Sequence, residues 1–208
     1  MGFYAHRILP HVIDLAMRNK EATRLRADWI PHARGEVLEV GIGSGLNLPF
    51  YSSQVQHVYG VDPSPELQTM ARKRAAGRTH IEFLLQSAEE PLPLAEASID
   101  TVVVTWTLCS IPHVPTALQQ MKRVLRPGGQ LIFLEHGLAP DSRVMVWQNR
   151  LTPFWERITG GCHLNRKVDE LIAQAGFRIT ELKTCYLAGP RAMTYTYQGF
   201  AQLMRPGE

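Results

Sequence analysis

The sequence predicts an α/β fold: one doubly wound domain around a seven-stranded, mostly parallel sheet whose last strand runs antiparallel. Three observations carry this. Val- and Ile-rich runs alternate with helix-like stretches along the chain, the pattern of a parallel sheet covered by helices on both faces. The first of these runs ends directly in Gly41, Gly43 and Gly45, the strand-to-glycine-turn junction of a ligand-binding βα unit. The chain has 208 residues, enough for one domain to bury a core without disulfide or metal staples.

In chain order, strands are expected at 36–40 (EVLEV), 57–61 (HVYGV), 80–85 (HIEFLL), 100–105 (DTVVVT) and 130–135 (QLIFLE). Two more, 177–184 and 194–203, alternate well enough to keep one wetter face. Helices are expected at 3–17, 21–29, 64–76, 115–123, 142–158 and 166–175. Pro65 suits a first helical turn, and Arg126-Pro127-Gly128-Gly129 reads as a helix stop with a turn into the next strand. Asn165 is the expected N-cap of the last helix, and Ala175-Gly176 its end. There are no repeats, low-complexity tracts or linkers, so 1–208 reads as a single domain.

Composition excludes several classes. Lys and Arg number 22 against 19 Asp and Glu, scattered without a basic block, which argues against nucleic acid as a partner. Cys109, Cys162 and Cys185 are odd in number and widely spaced, which points to neither a disulfide scaffold nor a metal site. No apolar run approaches the length of a membrane span, and residues 1–20 lack the core and cleavage site of a signal peptide. The reading is a soluble, cytoplasmic protein. Phe3, Ile8, Val12, Ile13, Leu15 and Met17 still give the N-terminus an apolar helical face that would allow a peripheral membrane contact.

The chemistry-bearing residues begin with the glycine turn, where the backbone can approach a ligand and offer its amides. Leu46 stands where a dinucleotide fingerprint needs its third glycine, which disfavours a nicotinamide or flavin enzyme. Asp62 ends the second strand, about 20 residues beyond the turn, where a carboxylate can accept from both hydroxyls of a ribose.

With LEVGIGSG, VDPS, SAEEPLP, IDTVVVTWTLCSIP, VLRPGGQLIFLEHG and a late AGF in this order, the sequence resembles the class I S-adenosylmethionine-dependent methyltransferases of Rossmann-like fold. The resemblance implies S-adenosylmethionine as cofactor and S-adenosylhomocysteine as product. It puts the methionine moiety against Gly41, Gly43 and Gly45, the ribose on Asp62 with Pro63 beside it, and the adenine on Ser87, Ala88 and Glu89. Glu39 takes the position of the acid that orients the loop, and Thr105 at the end of the fourth strand joins the cofactor set. Many relatives carry Asp-Ala where this chain has Ser87-Ala88, so the adenine contact would pass to the serine hydroxyl or to backbone.

TLCSIP, EHG, WQ at 147–148, PFW at 153–155 and GGCHLNR at 160–166 bring a closer resemblance, to the methyltransferase-like group whose animal members are thiol S-methyltransferases. Those members carry a membrane-embedding N-terminal segment without a counterpart here. The resemblance implies methyl transfer to a small acceptor, foremost a thiol. Residues 136–167 are expected to cap the substrate pocket and residues 1–30 to form a helical lid, with Tyr4, Trp106, Cys109, Trp147 and Trp155 lining the pocket. Among His113, His136, His163 and Glu135, His136 is the expected proton acceptor, because the end of the fifth strand should face the pocket. Quinone C-methylation, phospholipid N-methylation and a non-catalytic cofactor-binding sensor stay open as alternatives.

Overall fold

The computed structural model describes residues 3–77 and 80–204. The ends of the expected domain, 1–2 and 205–208, lie outside the described residues. Strands β1 (Gly35–Val40), β2 (Val55–Val61), β3 (Ile81–Leu84), β4 (Ile99–Thr105), β5 (Leu125–His136), β6 (Phe177–Tyr186) and β7 (Tyr195–Leu203) form one sheet in the order β3-β2-β1-β4-β5-β7-β6. The first five strands pair in parallel, and β7 runs antiparallel to both β5 and β6.

The order reverses at β1, whose neighbours are β2 and β4, and the carboxyl ends of these strands come level where Val40 pairs with both Val61 and Val104. That crevice is where an open α/β sheet binds its ligand. β4 is central because it can be buried on both faces: Val102, Val103 and Val104 have no exposed surface.

Helices α1 (Leu9–Ala16), α2 (Lys20–Trp29), α3 (Pro65–Arg74), α4 (Val114–Val124), α5 (Ser142–Thr159), α6 (Val168–Gln174) and the single turn α7 (Arg191–Thr194) complete the chain. α4 shows why these segments fold. Val114, Ala117, Leu118, Met121 and Val124 recur at helical spacing and are all buried. With Val168 and Ile172 of α6 they form the core on one side of the sheet. Leu25 and Trp29 of α2 cover Val37, Val103 and Ile132 on the other. Among the described residues no helix is long and apolar enough to cross a membrane.

Three local expectations need correction. The helix foreseen over 3–17 starts as a wider π-type turn, Tyr4–Ile8, before α1. Pro10 explains it, since its ring removes the N–H and crowds the carbonyl a normal turn would use. Asn165 caps nothing: its side chain donates to Asn149 at 2.8 Å, and α6 begins only at Val168. Arg126–Gly129 is no boundary between helix and strand, because Leu125 already pairs with Ile99 and the ladder resumes at Gln130, so these four residues bulge out of β5.

Candidate active site

β1 delivers the chain into the glycine turn still bonded to its neighbour, with Gly41 and Ile42 both donating to the Val61 carbonyl. Gly41 has φ of +72°, and a Cβ there would lie 2.1 Å from Thr107 Oγ1. Only glycine lets the turn touch the loop after β4. Gly43, at φ +54°, differs: a Cβ would meet nothing closer than 3.8 Å, so its backbone borders open space. This is a cradle that a ligand's polar chain can approach.

Asp62, 7% exposed, closes the cradle. One of its oxygens accepts from Gly43 N at 2.9 Å and the other from Ser64 N at 2.8 Å. Burial raises its pKa despite these two bonds. Each oxygen keeps a lone pair for a further donor. Ser64 then caps α3 through Leu67 N, and Gln68 joins the Asp62 and Leu84 carbonyls, fixing the ends of β2 and β3 together. Pro63 is exposed at the same edge. Past β3, Ser87 donates to Glu89, and Glu89 accepts from His113 N ahead of α4; Ala88 is buried between them. The Ser87 hydroxyl is thus engaged within its own turn.

Glu39 is buried beneath the turn and accepts from Asn47 Nδ2 at 2.9 Å and Tyr51 Oη at 2.7 Å. Asn47 also donates to Thr105 Oγ1 at 3.0 Å and accepts from Arg26 Nε at 3.0 Å. Burial lifts Glu39 to about 7, with the two hydrogen bonds opposing, and lowers Arg26 to about 10. The sequence reading named Glu39 and Thr105 but missed Arg26, Asn47 and Tyr51, which connect them. An Asn two residues beyond Gly45 was the available signal.

The N-terminal segment lies over this half. Asp14 of α1 accepts from Ser44 Oγ of the glycine turn and pairs with Arg74 of α3 at 2.8 Å. His6 meets Glu66 at 3.0 Å, and Tyr4 Oη donates to the Ile158 carbonyl at the end of α5. The segment therefore bridges α3 to α5.

The other half is assembled from distant segments. Trp106 follows β4 with φ +48°, a conformation costing a non-glycine residue about 1–2 kcal/mol. Its ring packs under the Arg26 guanidinium at 4.9 Å. Glu135, fully buried, receives Thr107 N at 2.7 Å, Leu108 N at 3.0 Å and Cys109 N at 3.4 Å, and burial lifts it to about 7. From the far side Arg166 donates to the Leu108 and Ile111 carbonyls, and His163 N donates to the Cys109 carbonyl at 2.8 Å. The loop after β4 is clamped on both sides.

This clamp brings Cys109 and Cys162 sulfurs to 3.5 Å and His136 Nε2 to 2.8 Å from Cys162 Sγ. His136, the expected proton acceptor, thus directs its Nε2 at a cysteine. Cys162 has its pKa pushed up by the Cys109 contact first and burial second. The sequence reading gave Cys162 no role, because 109, 136 and 162 are too far apart in the chain to suggest a cluster. Cys185 stays apart, between Thr196 and Gln198.

The aromatic residues divide. Trp155 is partly buried with Nε1 lacking a hydrogen-bond partner among the described residues. Trp147 is 57% exposed with Arg150 over its ring, on the outer face of α5, and Tyr4 is 45% exposed. The inward face of α5 belongs to Gln148, which bonds Ala139 N and the Gly137 carbonyl, and to Thr152. Trp147, expected to line the substrate pocket, stands on the exposed side of α5, off the face that Gln148 and Thr152 bury.

A methyltransferase-domain family profile matches residues 38–133. A rat thiol S-methyltransferase is 38% identical over 151 residues, 71% of this chain and 62% of the relative. A phosphatidylethanolamine N-methyltransferase from Cereibacter sphaeroides is 29% identical over 164 residues, 77% of this chain and 79% of the relative. The crystal structure of the YcgJ protein from Bacillus subtilis superposes with a TM-score of 0.71, covering 91% of this chain and all of that one at 16% identity, a likeness of fold. The chain spans less than two thirds of the thiol S-methyltransferase it matches. With the strand order, the glycine turn and the acid at the end of β2 in place, the chain carries a methyltransferase domain over residues 38–133.

Proposed function

We propose that this protein transfers the methyl group of S-adenosylmethionine to a small soluble thiol. The observation that carries the cofactor half is the bond from Gly43 N to Asp62: it holds a carboxylate with spare lone pairs beside a backbone cradle open to a ligand. The acceptor class rests on likeness to the rat enzyme over 71% of the chain.

The cofactor brings an electrophilic methyl group on a sulfonium, and so the difficult part of the chemistry. What the chain adds is position. Asp62 would accept from the ribose hydroxyls, the glycine turn would border the methionine moiety, and Ser87, Ala88 and Glu89 would flank the adenine. Glu39, through Asn47, holds the turn in shape. Asp14 and Tyr4 keep the N-terminal segment across the site, excluding water. Trp155 Nε1 and the loop after β4 would orient the acceptor for in-line approach, a contribution that can supply much of the rate. A thiol has a pKa of about 8.5 and is already a few per cent thiolate near neutrality. It therefore needs no dedicated base, which agrees with a site whose candidate base, His136, is turned to Cys162.

The test is turnover by purified protein on a panel of small thiols, quinols and lipid amines, with products identified by mass spectrometry. Methylated thiol is expected. Methylation of a lipid amine alone would replace this reading by the second one, for which a specific feature speaks. On the outer face of α5, Arg143, Arg150 and Arg157 flank exposed Val146, Trp147 and Phe154, a basic amphipathic surface suited to an anionic membrane. Co-sedimentation with anionic vesicles, for the full chain and for a variant carrying Trp147→Ala and Phe154→Ala, separates the two.

A further inference from the structure

Outside the cofactor cradle, one cluster of reactive side chains is unexplained by methyl transfer. The ligand atoms of Cys109, His136 and Cys162 all lie within 4.8 Å of one another. Three separate segments bring them there: the loop after β4, the end of β5 and the turn after α5. We propose that these residues form a site for one thiophilic divalent cation of the zinc class, with a fourth position open to a small thiolate.

The donor set comes first. Two sulfurs and an imidazole nitrogen are the soft and borderline ligands that select such ions, and three protein ligands with one exchangeable position is the arrangement of reactive rather than closed zinc sites. Geometry agrees. Bonds of about 2.3 Å to sulfur and about 2.0 Å to nitrogen in a tetrahedron put ligand atoms roughly 3.5–3.8 Å apart. The observed sulfurs are 3.5 Å apart, and the 2.8 Å from His136 to Cys162 opens to that range by a small swing of either side chain.

Charge agrees as well. Two thiolates and a neutral imidazole around a dication sum to zero, so the largely enclosed site carries no net charge, whereas either thiolate alone there would be costly. A coordinated cation displaces the protons of both thiols outright. Preorganisation is the last requirement. Glu135 and His163 hold the Cys109 backbone from two sides, and a Cβ on Gly161 would lie 3.1 Å from the Ser110 carbonyl, so the two cysteine-bearing turns pack backbone to backbone. The donors stay adjacent without the ion.

The open-position part rests on the thiol reading; cation uptake does not. The experiment is titration of the reduced full chain with Co²⁺, followed by competition with Zn²⁺. Expected are sulfur-to-cobalt charge-transfer and tetrahedral ligand-field bands saturating at about one equivalent, release of about two protons, and a shift of the ligand-field bands when a small thiol is added. Cys162→Ser and His136→Gln should weaken uptake beyond the about 10- to 100-fold typical of outer-shell changes, while Cys185→Ser keeps it. If Cys109→Ser fails to fold, Cys162→Ser, at a partly exposed position, carries the test. Absent bands, bands unchanged in both cysteine variants, or a Cys109–Cys162 disulfide in place of uptake would overturn the site. Bands indifferent to added thiol would overturn the open position. Uptake with no thiol methylated on the panel would sink the thiol reading and leave the site.

Discussion

The two halves of the site are built in opposite ways. The proposed cofactor half comes from short-range sequence: Glu39, Gly41, Gly43, Ser44 and Asn47 lie within nine residues, and Asp62 and Ser64 follow one strand later. The proposed acceptor half joins residues 106–111, 135–136 and 161–166, and its contacts are backbone carbonyls and amides gripped by Arg166, His163 and Glu135. A half made by local turn geometry should fail through backbone strain. A half made by long-range clamps should fail through loss of a single side chain, with the fold otherwise intact.

The largest effect should fall where the halves touch. Gly41→Ala drives a Cβ to 2.1 Å from Thr107 and loses a left-handed conformation; a loss of about 3–5 kcal/mol is expected, read by chemical denaturation. A loss under about 1 kcal/mol would mean the halves are not in rigid contact.

Asp62→Ala should weaken S-adenosylhomocysteine binding about 10- to 100-fold by calorimetry, as for removal of a charged hydrogen-bonding group, with a smaller cost in stability. Unchanged affinity would remove Asp62 from the ribose. Arg166→Ala is the matching change in the other half. It frees two carbonyls of the loop after β4 and should cost about 1–3 kcal/mol and lower thiol turnover, while cofactor affinity stays near wild type. Equal losses of both would abolish the contrast drawn above.

A pH experiment sharpens it further. Burial puts Glu39 at about 7 in the folded protein, above the about 4.3 of an unfolded chain. Between these values the folded state binds more protons, so this residue makes stability fall as pH rises from about 4 through 7. Glu39→Gln should flatten that part of the profile, followed as Tm against pH. A profile of unchanged slope would place the buried charge elsewhere. The smallest effect is expected for Trp147→Ala on the outer face of α5: within about 0.5 kcal/mol in stability and no change with soluble thiols. A loss of thiol turnover would return Trp147 to the pocket.

What the sequence could show follows from the same division. Every strand but β5 was legible to within a few residues, the buried parallel ones as near-continuous apolar runs and β6 and β7 by their alternation. The early start of β5 was hidden in Leu125-Arg126-Pro127-Gly128-Gly129, which reads as a turn and is one, inserted into a strand already paired. The glycines were visible because a left-handed turn fixes that residue type, Asp62 because a carboxylate at that strand end suits a ribose, and Glu39 through the resemblance alone. Arg26 was not, since its partner Asn47 lies 21 residues away and no local rule demands an arginine on that helix.

By itself, then, the sequence determined the strands of the sheet and the cradle, since backbone periodicity, glycine conformation and a strand-end carboxylate are local constraints. Only the tertiary structure decided which outer face Trp147 occupies, which carbonyls Arg166 holds, and that Cys109, His136 and Cys162 meet. Those outcomes depend on how β4, β5 and the segment after α5 converge in space, and sequence separation carries no record of that distance.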